Sequence, residues 1–140
     1  MNRLTGVLCL VVLATVAQAE SKTDEAFRNL ADEYLSDLVN LSPVNATLIG
    51  DHSADGELDQ VDAAARDEEL TLLGEYRDAV KSLNRDDMSR ANQVDAELLL
   101  HDLEGDIWRQ QQLQEWAWNP LYYIRISGNG VYGLLARDFA

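Results

Sequence analysis

The chain has 140 residues, with 25 Asp or Glu against 11 Lys or Arg and a formal net charge of −14. A field of that sign repels phosphate backbones and anionic lipid surfaces before contact. Nucleic acid is thereby excluded as a partner, and cations or plain solubility are left as readings of the charge. The lone cysteine, Cys9, excludes an internal disulfide framework.

The first residues read as a secretory leader. Arg3 precedes the apolar run LTGVLCLVVLATV and the small-residue site AQA, a pattern that predicts cleavage after Ala19 and an exported, periplasmic or secreted product. The run is too short for a stable membrane span. Cys9 follows GVL rather than the small residue that lipoprotein processing needs, so cleavage is favoured over lipid anchoring. Residues 20–140 then form one unit without cysteine, ten basic against 25 acidic residues, a net charge of −15.

An all-α fold is predicted for that unit. In the first helix, apolar Phe27, Leu30, Tyr34, Leu38 and Leu41 recur at steps of three or four behind the capping sequence SKTDE. SPVNATLIG predicts a short second helix, with Ser42 and Pro43 at its start and Gly50 at its end. Asp62 caps a third, striped by Leu70, Leu73, Tyr76, Val80 and Leu83.

Between the second and third helices lies DHSADGELDQVD. Oxygen-bearing side chains stand at positions one, three, five, nine and twelve of an EF-hand loop (Asp51, Ser53, Asp55, Asp59, Asp62), with Gly56 at the sixth. Asp62 replaces the usual bidentate Glu, and no second hand is visible. An acidic interhelical connector is the favoured reading, in which Asp55 and Gly56 serve turn geometry; a calcium loop is the alternative.

A fourth helix starting at Ser89 is expected to run through SRANQVDAELLLHDLEGDIWRQQQLQEW. Ala96, Leu99, Leu100, Leu103 and Ile107 share one side, while Val94, Leu98 and Trp108 widen the stripe enough to predict packing on two sides. Glu97, His101 and Glu104 share another face. Three ligands for a metal are conceivable there, but a solvent-facing salt-bridged row is favoured. His52 and His101, the only histidines, belong to no HExxH motif, and no GxSxG or phosphate-binding lysine loop is present.

Seven of the ten aromatic residues fall at or after Trp108, which marks a change of character. Trp116, Trp118, Asn119, Tyr122 and Tyr123 are the candidates for a substrate cleft, against the plainer reading that they are core awaiting a partner surface. LYYIRIS has β character, and Gly128, Gly130 and Gly133 follow it at GxGxxG spacing. No βαβ unit frames them, so they are read as glycines for tight bending and close helix packing, with no nucleotide bound.

Taken together, LADEYLSDLVNLSPVNATLIGDH, ANQVDAELLLHDLE and LQEWAWNPLYY with GVYGLLARDFA resemble the N-terminal region of the bacterial domain-of-unknown-function 885 family. The resemblance implies the opening, truncated part of a larger, mostly helical exported protein related to zincin-like metallopeptidases, whose HExxH-type motif lies far downstream. It carries no catalytic or zinc-binding residue onto this chain, which holds no cofactor of its own; zinc belongs to the full-length protein. The implied partners are the remainder of the same polypeptide and a peptide substrate. His52, in the GDH link, is expected to fix the turn by a hydrogen bond. The alternative reading is an exported acidic binding module that uses its EF-hand-like loop for calcium.

Overall fold

The computed structural model describes residues 21–135; the leader, Cys9 and the last five residues lie outside them. The described part is built from α1 (Lys22–Leu41), α2 (Pro43–Ile49), α3 (Ala63–Ser82), α4 (Arg90–Trp108), α5 (Glu115–Trp118) and α6 (Pro120–Leu135), with a 3-10 turn at Arg85–Asp87 and a π-helical turn at Arg109–Leu113. No strand occurs among the described residues.

Local chemistry sets most of the boundaries. The Ser21 hydroxyl accepts from the Asp24 amide while the Asp24 carboxylate accepts from the Ser21 amide, a reciprocal cap that starts α1. Pro43 opens α2 where a missing N–H costs nothing, and Gly50 closes it at φ 98°, a left-handed conformation that suits glycine. The side chains of Asp62 and Ser89 cap α3 and α4.

The core lies where α1, α3 and α4 meet. Phe27 and Tyr34 from α1, Leu73, Tyr76 and Val80 from α3, Ala96, Leu103 and Ile107 from α4, and Met88 from the preceding turn form one buried cluster. Tyr34 and Tyr76 meet edge-on, 5.2 Å between centroids, and the Tyr76 hydroxyl donates to Asp37 at 2.7 Å. Burial, reinforced by that carboxylate, pushes Tyr76 up to about 12. Thus the predicted stripes of the first, third and fourth helices do converge.

Three expectations fail. The widened stripe of the fourth helix is not covered on a second side among the described residues, since Val94, Leu98 and Trp108 are 41%, 59% and 55% exposed. The helix also stops at Trp108, because the backbone slips into a π turn and then reverses at Gln114, a non-glycine residue at φ 49°. LYYIRIS, finally, is helical: Asn119 caps the segment through its side chain to the Leu121 amide, Pro120 takes the first position, and the helix packs on α2.

At Gly130, α6 lies close to Val44 of α2 and Leu58 of the connector. It does not have the positive φ that a tight bend would require; it is buried in α6, and a Cβ there would stand 2.7 Å from Leu58 Cδ2 and 3.3 Å from Val44 Cγ2. Of the two roles expected of this glycine, close packing holds and tight bending does not.

Candidate binding cleft

The acidic loop is stitched to its neighbours by its own carboxylates. Asp59 accepts from the Ser42 hydroxyl and the Val44 amide, both at 3.0 Å, and so caps α2 from a distance where Ser42 makes no side-chain cap. Asp55 accepts from the Thr47 hydroxyl at 2.8 Å and lies 3.3 Å from His52 Nδ1, the turn-fixing contact expected of that histidine. Asp51 accepts from the Ser53 amide, and hydrogen bonds from Ser53 hold its carboxyl below the usual range. Asp62 caps α3 through the Ala65 amide. Gly56, at the position where a calcium loop turns sharply, has no positive φ.

On α4 two residues of the three-residue face are engaged in ion pairs. Glu97 pairs with Arg85, and Glu104 with Lys81 at 2.6 Å. His52 and His101 sit on different elements, and among the described residues no group of three or more His, Cys, Asp or Glu is placed to hold a metal ion. This chain's described residues do not fit a zinc site.

The aromatic segment is where a cleft forms. The π turn and the reversal at Gln114 fold α5 back, so that Trp116 comes to lie against α3. There the Arg66 guanidinium carbon stands 4.2 Å from the centre of the indole ring. Glu69 and Tyr122 complete the walls with Asp106, Arg109, Gln110 and Glu115, around a cavity of about 190 Å³. Burial pushes the Glu69 carboxyl up against the opposing effect of a hydrogen bond from Gln110. Burial likewise raises the Tyr122 phenol, and the charge of Glu69 adds to it. A half-buried carboxyl and aromatic walls meet in this one place, as binding sites often combine them.

Of the five aromatic-segment candidates, the structure brings Trp116 and Tyr122 to the cleft. The other three hold the frame. Trp118 donates to the Leu113 carbonyl at 2.8 Å, Tyr123 to the Trp116 carbonyl at 2.8 Å, and Asn119 donates to Glu115 while capping α6. Sequence reading missed Arg66, Glu69, Asp106, Arg109, Gln110 and Glu115. The usable signal was RQQQLQEW, where the apolar period of the fourth helix gives way to polar residues.

No family model and no curated protein matches the chain. Among solved structures it is similar to one described as a "putative lipoprotein of unknown function" from Shewanella oneidensis, at 25% identity and a TM-score of 0.74. The match covers 81% of this chain and 20% of the other, so it spans about one fifth of that protein's length.

Proposed function

We propose that this chain is the N-terminal helical portion of an exported, zinc-dependent peptidase-like hydrolase, and that it supplies one wall of a substrate cleft but no catalytic group. The peptidase part of this reading rests on the sequence resemblance. The observation that supports the coarser part, a helical portion of a longer exported protein, is the structural match, in which most of this fold corresponds to a small part of a much longer protein described as a "putative lipoprotein of unknown function". Two further features support it. The leader pattern at residues 1–19 fits export, and among the described residues no helix is long and apolar enough to cross a membrane. The cleft at Trp116 and Tyr122 supplies aromatic and acceptor groups suited to a peptide, while the zinc ligands and general base of this reading belong to residues beyond this chain.

The test is to read the gene beyond Ala140 and to assay its complete product for zinc and peptide hydrolysis, with Trp116→Ala alongside. An open frame containing HExxH, stoichiometric zinc, and a KM raised about tenfold in the variant are expected. A stop codon after Ala140, or a complete product without peptidase activity, overturns the reading.

A further inference from the structure

We infer that the cleft takes a cationic side chain, the ammonium or guanidinium end of a basic peptide residue, seated between Glu69 and the rings of Trp116 and Tyr122. This names the ligand class for the cleft and rests on its being a binding site. Size comes first. A cavity of about 190 Å³ is smaller than the roughly 300 Å³ at which sites for whole small molecules begin, so it suits one side chain.

The arrangement of charge then selects the side chain. Both positive groups in the walls are already engaged: Arg66 lies on Trp116 and donates to the Val61 carbonyl at 2.6 Å, and Arg109 pairs with Asp106. Glu115 has Asn119 and, at 3.9 Å, Arg125. Glu69 differs from these carboxylates, because its partner among the described residues is the neutral Gln110 amide. Gln110 Oε1 is itself buried and accepts no hydrogen bond. A carboxylate without a cationic partner among the described residues therefore lines this space. A positively charged group rich in N–H donors satisfies it, and the neighbouring rings favour that group further. The net charge of −14 attracts such a group from a distance, whereas an acidic side chain meets repulsion.

The experiment is a magnetic-resonance titration of the full chain, following the Trp116 indole N–H assigned with Trp116→Phe. The probes are the Nα-acetyl methylamides of lysine, norleucine and aspartic acid, and the variants are Glu69→Gln and the exposed charge control Asp32→Asn. Saturable lysine-probe binding is expected, about tenfold weaker for the norleucine probe and about tenfold weaker again in Glu69→Gln, with Asp32→Asn unchanged. Equal binding of the lysine and norleucine probes, or a lysine affinity unaffected by Glu69→Gln, overturns the cationic assignment and leaves a binding cleft. Preference for the aspartate probe does the same. If no probe shifts the indole signal saturably, the cleft reading fails as well.

Discussion

Asp24 does more than start a helix. Its side chain is 4% exposed, and besides closing the cap of α1 it accepts from the Ser89 amide at 2.9 Å and the Asn92 side chain at 2.7 Å. One carboxylate thus joins the N-termini of α1 and α4, Asp24 and Ser89 lying 65 residues apart. The hydrogen bond from the Ser89 amide, helped by Asn92 and Ser21, holds its carboxyl below the ordinary 3.8 despite the opposing effect of burial. A carboxylate lowered in the fold contributes stability that is complete above its unfolded value and is lost as pH falls through the folded one. Urea midpoints measured from about pH 6 to pH 2 should therefore fall at the acid end. Asp24→Asn should lower the midpoint at neutral pH and flatten that acid limb. Equal acid sensitivity in the variant would assign the effect to other carboxylates.

At the scale of elements, the acidic connector and α6 meet through α2. Asp59 caps α2 from the connector, and removing it leaves the Val44 amide without its acceptor; Asp59→Ala should cost about 1–2 kcal/mol in urea unfolding. The same carboxylates being tied to protein donors, calorimetric titration with calcium should show no saturable micromolar binding. Binding that tight, lost in an Asp51→Ala and Asp55→Ala double variant, would establish the calcium reading instead of the connector. Gly130 tests the other side of α2. Leu58 is half exposed and can swing away from a new side chain, but Val44 is buried, so Gly130→Val should cost about 1–3 kcal/mol by overpacking. Gly74→Ala, which meets nothing within 4 Å on α3, should instead gain up to about 1 kcal/mol. These elements also separate what was legible from what was not. Capping residues such as Ser21, Asp62 and Ser89 act within a turn of themselves, so their positions follow from the sequence alone. The π turn at Arg109–Leu113 does not, because it depends on where Trp116 docks on α3. LYYIRIS misleads for a related reason: β-branched residues weakly disfavour a helix, and an Asn-Pro start together with packing on α2 outweighs that preference. Trp116 and Tyr122, the two candidates that line the cavity, are large aromatics that advertise themselves, whereas Glu69 and Gln110 owe their significance to burial, which composition does not display.

For the whole molecule, the distribution of apolar surface separates two parts. The three-helix core of α1, α3 and α4 is closed around Leu73, Val80 and Leu103, while α6 is held through α2 and α5 and leaves Leu121, Ile124, Val131, Tyr132 and Leu135 between 55% and 78% exposed. Leu48 and Ile49 of α2 are exposed as well. Isolated apolar residues on a surface need no explanation, but this many on one helix and its neighbour make a patch of the kind that associates. In the proposed reading the remainder of a longer polypeptide covers it. The chain alone should then self-associate in sedimentation velocity as its concentration rises. Ile124→Glu with Leu135→Glu should return it to a monomer, with an unchanged helical circular dichroism spectrum, because neither side chain belongs to the core cluster. The complete gene product should stay monomeric without these substitutions and should lose stability with them, since the same charges would then be buried against its own remaining helices. A chain that is monomeric at every concentration, or a complete product indifferent to both charges, would mean that α6 faces water in the native protein and that its apolar surface serves another partner.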